Sequence, residues 1–522
     1  MADALLQRKI VAKICLCMSS KTLKRNLEIL DKYRKYADMA ELRVDCLDPD
    51  ERLLIRRFPE QAGMPVILTI RRDIDGGRFI GGEGARISLM ARGLAYAETD
   101  RRRNFAFLDI EEDLNVPSLE EAARTFGTRI IRSYHNIRET DADLSARIRS
   151  IRHSGDEIVK VSVTANSTRD VLKLLQAGKE FERQEKILIA MGHYGIYSRI
   201  LAEQFGSFLS YVSAHSEADI PPAAPGQIEV KELAKLYRFR TITKNTKVYG
   251  VTGNPLKATG SPQFFNTIFS QEGINAVYVP FPADSITDFM EIARELNVEG
   301  ISVTVPYKEA VLPFLDNQSD NVRIIGACNT LILTPQGWFG TNTDGNGFSD
   351  SLLSFAGIPN FKKQRITVIG AGGAARAVIS ELHRLGAAKV LIINRTAHKA
   401  RNLAVPYKYI WGGMDDRSID KIDKYRDIII QTTPVGMEGT NSGDPSIPDD
   451  PLAMYNFSGQ EVVMDLVYEP KMTAFLGRAA NAGCNVQNGY DMLIRQAQYQ
   501  YAQFTGKEIP DYFLSHMGFD GA

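Results

Sequence analysis

Between residues 13 and 214, eight short apolar runs alternate with amphipathic helical stretches, and that alternation leaves few folds open. The runs are KICLCMS, AELRVDC, PVILTIR, FAFLDIE, TRIIRSYH, EIVKVSV, KILIAMG and SFLSYVSA. Regular βα alternation over about eight strands predicts a closed (β/α)8 barrel, with an open doubly wound sheet as the alternative. A barrel carries its chemistry at the C-terminal ends of its strands, so polar residues there should share one inward parity.

The sixth run shows that parity. Period-two alternation sends Val159, Val161 and Val163 to one face and Ile158, Lys160 and Ser162 to the other, so Lys160 points where a core residue would. An unpaired buried ammonium is costly, and such a group neutralises, pairs or does chemistry. Other strands add polar residues of the same kind: Glu41, Arg43 and Asp45 on the second, Arg71 closing the third, Ser133 and His135 on the fifth, with Arg199 after the seventh. Singly, each has a structural explanation, such as a buried ion pair or a hydrogen-bonded core histidine. Jointly they describe a site with an uncharged amine, a histidine one strand away and arginines suited to a carboxylate. That set fits Schiff-base chemistry, in which an imine acidifies a neighbouring proton and a histidine removes it. Aldolases and dehydratases both satisfy it.

Charge narrows the class of partner. Lys plus Arg equals Asp plus Glu at 63 each, so no basic field exists to hold nucleic acid or an anionic membrane, and small-molecule substrates are expected. The seven histidines include no H-x-x-x-H pair and the five cysteines no C-x-x-C, so neither a metal site nor a disulfide framework is expected. The N-terminal MADALLQRKIVAK lacks a signal-peptide core, and no apolar run approaches the ~18 residues of a membrane helix, giving a cytoplasmic expectation. A chain of 522 residues is too long for one core, and a second βα pattern begins at residue 247.

That second pattern contains RITVIGAGGAARAVISELHRLGAAKVLIINRT, a strand, glycine turn, helix and strand. Gly370, Gly372 and Ala375 fit G-x-G-x-x-[G/A], in which glycines let a pyrophosphate approach the N–H groups at a helix start. At the end of the next strand, where an acidic residue would bind the ribose of NAD, stand Asn394, Arg395 and Thr396. A guanidinium in place of a carboxylate favours a 2′-phosphate, hence NADP. Lys308 in GISVTVPYKEA and Asp344 in GTNTDGNG are the candidate proton-transfer pair for a dehydrogenase, provided they converge.

The barrel motifs ELRVD, TIRRDIDGG, SYHN, VKVSV and APGQ, in this order, resemble type I 3-dehydroquinate dehydratase over roughly residues 10 to 230. The resemblance implies that Lys160 forms the imine and His135 is the acid/base. It also implies that Glu41, Arg43, Arg71, Arg199 and Gln227 hold the cyclic carboxylate, beneath mobile loops GGRFIGGEG and PPAAPGQ. Two positions depart from the pattern: Asp75 replaces a glutamate, so any partner role toward His135 spans a longer gap, and Ala223 replaces a serine before APGQ.

The motifs GNP, VTVPYK, GACNTL, NTDG, GAGGAARA, NRT, TTPVGM and NGYDMLIRQA resemble shikimate dehydrogenase over roughly residues 247 to 505. By that resemblance Lys308 and Asp344 are the catalytic pair, with Thr304, Asn329, Tyr468 and Gln496 around the substrate. Gly370, Ala371, Gly372, Gly373, Ala374, Ala375, Asn394, Arg395, Thr396, Thr433, Gly436, Met437 and Gly489 would line the cofactor. Lys257 and Thr259 stand where the family has two serines, and Lys257 would add charge to the substrate-carboxylate grip or signal quinate as substrate. Together the resemblances imply a fusion that dehydrates 3-dehydroquinate to 3-dehydroshikimate and reduces it to shikimate with NADPH, a route to aromatic amino-acid precursors. A barrel that only binds metabolite is the non-catalytic alternative. The expected divisions are a barrel over 1–240, a linker over 241–246, a substrate domain over 247–344, a Rossmann-type domain over 345–485 and a returning helical segment over 486–522. Oligomeric state is not legible.

Overall fold

All eight runs form strands: β1 (Lys13–Met18), β2 (Met39–Arg43), β3 (Val66–Thr69), β4 (Phe107–Glu111), β5 (Arg129–Asn136), β6 (Ile158–Thr164), β7 (Lys186–Met191) and β8 (Leu209–Ser213). They lie side by side in the order β7-β6-β5-β4-β3-β2-β1-β8. A parallel bridge between Lys186 and Ser207 joins the two ends, with Phe208 N donating to Lys186 O at 2.7 Å. The sheet is therefore closed, and the open-sheet alternative falls away. The computed structural model describes residues 12–94, 96–97, 100–151, 153–217, 219–256, 260–437, 449–510 and 513.

Inside the barrel each strand runs from an apolar floor to a polar mouth. Met39, Ile67, Ile131, Ile158 and Ile187 pack with Cys15 and Leu209, and Phe107 packs against them. Two residues further along the same inward faces stand Glu41, Thr69, Ser133, Lys160 and, on β4, Asp109. Burying the floor stabilises the barrel by excluding water, and the rigid floor fixes where the polar layer sits.

The chain resolves into two compact units, one ending at Val298 and one starting at Glu299. The first contains more than the barrel. Strands Lys247–Gly253 and Ala276–Pro282 pair in parallel, and the helix Ile286–Glu295 packs on the barrel helix Thr168–Glu180. Ser167 and Asp170 form a reciprocal cap on that barrel helix, whose next N–H, from Thr168, donates to Asp284 at 2.7 Å.

The second unit contains a parallel sheet in the order Ile410–Gly413, Lys389–Asn394, Arg365–Ile369, Ile428–Gln431, Val462–Asp465, Asn485–Gln487. Numbered along the chain this is 3-2-1-4-5-6, the Rossmann-type arrangement, with the crevice where the order reverses after Arg365–Ile369. Val298–Val303 pairs antiparallel with Thr330–Thr334, which forms a hairpin with Gly337–Thr341. The helix Tyr490–Thr505 packs along the helix Asp344–Ala356. No helix among the described residues is long and apolar enough to cross a membrane.

Candidate active sites

Glu41, Arg43, Arg71, Asp75, His135, Lys160, Arg199 and Gln227 all line one pocket at the barrel mouth, about 600 Å3 including space open to solvent. Register explains the gathering. Ser133 on β5 is level with both Glu111 on β4 and Lys160 on β6, and His135 is level with Ser162.

Lys160 is 4% exposed, and its Nζ donates to Asp109 Oδ2 at 2.8 Å. Asp109, a carboxylate the sequence reading did not single out, therefore faces the lysine directly. The signal was present, because Asp109 and Glu111 share the inward parity of β4. Asp109 also accepts from Ser133 Oγ at 2.6 Å and lies 2.7 Å from Arg71 Nη2, a charge contact rather than an aligned hydrogen bond. Burial works to raise the Asp109 pKa, but Arg71 and Lys160 outweigh it and hold the carboxylate well below its ordinary range. Arg71 is further tied to Glu111 at 2.6 Å. The Lys160 ammonium stands 4.7 Å from the centre of the Tyr211 ring.

His135 has its Nδ1 buried without a hydrogen-bond partner. Burial, then Arg71 and Lys160, push its pKa well below the ordinary 6.5, against a smaller opposite pull from Asp109. The ring is therefore neutral at physiological pH and able to accept a proton. Asp75 lines the same pocket but accepts from Arg72 Nε at 2.6 Å and shares no hydrogen bond with His135.

The guanidinium groups differ in how they are satisfied. Arg43 is held bidentately by Asp45 at 2.9 and 2.7 Å. Arg199 makes no ion pair among the described residues: Nη2 donates to Pro225 O at 3.2 Å and Nε is buried without a partner. Burial lowers its pKa to about 10, so it remains charged and faces the pocket as a cation without an anion. Glu41 accepts from Thr69 Oγ1 at 2.8 Å and Cys17 Sγ at 3.0 Å, and Gln227 accepts from Ala223 N at 2.7 Å.

In the second unit, Lys308 and Asp344 converge, with Nζ donating to Oδ2 at 2.5 Å. Asp344 opens the helix Asp344–Ala356, where the helix dipole favours a carboxylate. Asn329 Nδ2 donates to the other Asp344 oxygen at 2.7 Å, and Gln496 Oε1 reaches Asn329 Nδ2 at 3.4 Å and Thr343 Oγ1 at 3.3 Å. Thr343 and Gln500 were not foreseen. Gln500 bonds Ser302 Oγ at 2.8 Å and Thr330 Oγ1 at 3.0 Å, binding the C-terminal helix to the strands beneath the cluster. Among the described residues, neither Thr304 nor Tyr468 shares a hydrogen bond with this cluster; both are half-buried. Lys257 and Thr259 lie outside the described residues.

The glycine turn fits a dinucleotide. Gly370 has φ +119, and a Cβ there would stand 2.4 Å from Thr432 Oγ1, so a side chain is excluded. At Gly372 and Gly373 a Cβ would meet nothing, and the helix Gly373–Arg384 has no side-chain cap, leaving its first N–H groups free for an anion. Ala371 and Ala374 are half-buried in the turn, and Ala375 is buried in the core beneath it. Asn394 Nδ2 donates to Thr396 O at 3.0 Å, fixing the bend that leaves Arg395 exposed. Gln431, also unforeseen, organises the 433–437 loop by bonding Thr433 N and O and Val435 O, with Gly436 at φ +87 and Met437 exposed. Gly489 lacks room for a side chain, since a Cβ would fall 2.1 Å from Leu466 O. Among the described residues no group of three or more His, Cys, Asp or Glu is placed to hold a metal ion.

Comparisons with known proteins divide along the same lines. Type I 3-dehydroquinase matches residues 14–244, the shikimate dehydrogenase substrate-binding domain residues 251–331, and shikimate/quinate 5-dehydrogenase residues 354–436. A bifunctional 3-dehydroquinate dehydratase/shikimate dehydrogenase, chloroplastic, of Arabidopsis thaliana is 29% identical over 500 residues, covering 91% of this chain and 78% of that one. Shikimate dehydrogenase (NADP(+)) of Maridesulfovibrio salexigens is 33% identical over 272 residues, covering 52% of this chain and 95% of its own. The enzyme of that name from Caldanaerobacter subterraneus is 36% identical over 276 residues, covering 51% and 94%.

Proposed function

The chain belongs to the shikimate dehydrogenase family over its C-terminal half and carries a type I 3-dehydroquinase domain ahead of it, and from that premise we propose a bifunctional shikimate-pathway enzyme. Its barrel dehydrates 3-dehydroquinate to 3-dehydroshikimate, and its second half reduces that ketone to shikimate with NADPH. The observation that carries the reading is the pocket gathering Lys160, a neutral His135 and the unpaired Arg199 guanidinium.

In the barrel, Arg199 receives the substrate carboxylate, the anion its environment lacks. The Lys160 ammonium first gives its proton to neutral His135, the freed amine attacks the ketone carbon, and His135 returns the proton to the hydroxyl that leaves as water, giving a protonated imine that draws electrons from the adjacent carbon. His135 takes the acidified proton and returns one to the departing hydroxyl, and hydrolysis of the imine frees the enone.

In the second half, Lys308 donates a proton to the developing alkoxide, and Asp344, fixed by Asn329, orients the ammonium. Bound NADPH supplies the hydride. The free N–H groups at Gly372 and Gly373 suit its pyrophosphate, and Arg395 suits the 2′-phosphate. Functional division of the chain at residues 240–247 and 344–345, and a cytoplasmic location, belong to this proposal; fractionation of the source cells tests the latter.

The test is one reaction: purified chain, 3-dehydroquinate and NADPH, with nicotinamide oxidation followed optically and product identified by mass. Shikimate is expected, and borohydride added with 3-dehydroquinate should fix mass on Lys160. No shikimate from either 3-dehydroquinate or 3-dehydroshikimate would sink the reading. Quinate tested in reverse beside shikimate decides the preference that Lys257 raises.

A further inference from the structure

One buried side chain at the barrel mouth has no part in the mechanism yet connects two residues that line the pocket. Cys17 on β1 is level with Glu41 on β2, and its Sγ donates to Glu41 Oε2 at 3.0 Å. The same sulfur accepts from Gln227 Nε2 at 3.1 Å, and Gln227 Oε1 accepts from Ala223 N at 2.7 Å. A continuous relay therefore runs from the strand carboxylate to the backbone of the segment that follows β8 and borders the pocket.

The relay has a fixed direction. A carboxylate only accepts, so the thiol must donate toward Glu41 and present lone pairs to Gln227. Gln227 is then held with its NH2 toward the sulfur and its carbonyl toward Ala223 N, the orientation that ties the segment down. Burial, then Glu41, push the Cys17 pKa well above its ordinary value, so the thiol keeps its proton across the working pH range. Elsewhere the segment is held at its start by Arg25, which grips Asp219 bidentately at 2.9 Å, and at Pro225 O by Arg199 Nη2 and Gly192 N, each at 3.2 Å, while Gly226, at φ +74, lies so close to Gly192 that a Cβ would stand 2.6 Å from its carbonyl oxygen. Between these ends Ser19 Oγ reaches Pro221 O at 3.4 Å, and the relay is the tie at Ala223. Ala223 has no hydroxyl with which to make a tie of its own.

We propose that Cys17 is a positioning residue of the dehydratase site, setting the amide orientation of Gln227 through the Glu41–Cys17–Gln227–Ala223 relay and so holding the 219–227 segment over the pocket. The inference rests on the dehydratase reading only for its kinetic arm. Cys17→Ala breaks the relay, whereas Cys17→Ser keeps one donor and its lone pairs.

Two measurements on the full-length chain test it. Hydrogen exchange in the peptide covering 219–227 should be at least about fivefold faster in Cys17→Ala and near wild type in Cys17→Ser. The KM for 3-dehydroquinate should rise about tenfold in Cys17→Ala with kcat within about twofold, and Cys17→Ser should recover it. Reduction of 3-dehydroshikimate by the same preparations reports folding and should not change. Unchanged exchange in Cys17→Ala, or equal acceleration in both variants, overturns the relay whatever the kinetics. A wild-type chain without dehydratase activity would refute the functional reading instead, leaving exchange to decide the relay.

Discussion

Asp109 stands between Lys160 and Arg71; Arg71 has a second carboxylate in Glu111, whereas among the described residues Asp109 alone pairs with Lys160. Removing one partner of a buried pair leaves an uncompensated charge, which costs far more than losing an exposed pair. Asp109→Asn is therefore expected to lower barrel stability by about 3–5 kcal/mol in urea unfolding, and adding Lys160→Met should recover part of that. A loss below about 1 kcal/mol would place the pair in the class of solvent-exposed bridges. The same charges set a pH dependence. His135 must be neutral to take a proton, and burial with Arg71 and Lys160 depresses its pKa below 6.5. Activity should therefore persist as pH falls through 6.5 and decline only beneath it. An acid limb of dehydratase kcat/KM at or above 6.5 would mean that a different base acts.

Among the elements, the turn after the strand Lys389–Asn394 carries the proposed choice between nicotinamide cofactors. Arg395 is exposed there without an ion pair among the described residues, while the Asn394 side chain is committed to Thr396 O. Arg395→Ala should raise the KM for NADPH at least about tenfold, leave that for NADH within about twofold and not touch dehydration. Equal effects on both cofactors would remove the 2′-phosphate role. This turn was legible in the sequence because the glycine fingerprint fixes its distance from the strand. The barrel was legible for a similar reason, since period-two alternation in EIVKVSV gave Lys160 its inward parity before any contact was known. Asp109 has the same parity in FAFLDIE, but its role depends on Lys160 and Arg71, which only the closed sheet brings beside it. The spacing of Cys17 excludes a disulfide framework or zinc site but says nothing of its partners, which lie 24 and 210 residues away. Thr343, Gln431 and Gln500 act through contacts that only the folded chain creates.

Across the whole molecule, the covalent order of the domains does not describe how the first unit is built. The barrel and residues 247–298 form one compact unit, joined where Asp284 meets the start of the helix Thr168–Glu180. Asp284 Oδ1 accepts from Thr168 N at 2.7 Å and Oγ1 at 2.6 Å, and its own N–H donates to Thr168 Oγ1 at 3.0 Å. A carboxylate brought to a helix N-terminus also meets the positive end of the helix dipole. Nearby, the Tyr197 and Phe281 rings pack with centres 5.0 Å apart. Burial works to raise the Asp284 pKa, but the Thr168 hydrogen bonds prevail and lower it below 3.8. A depressed folded value means the contribution is present at neutral pH and is lost as pH falls through the carboxylate range. Asp284→Ala should cost about 0.5–1.5 kcal/mol at pH 7, less at pH 3, and leave both kcat values unchanged, because neither site uses this exposed carboxylate. The Thr168→Val change should cost little more once Asp284 is gone, since the two share the same bonds. Full additivity of the two substitutions would show that the barrel and the following lobe are held by apolar packing such as the Tyr197–Phe281 contact, with the helix-terminal bonds making no net difference.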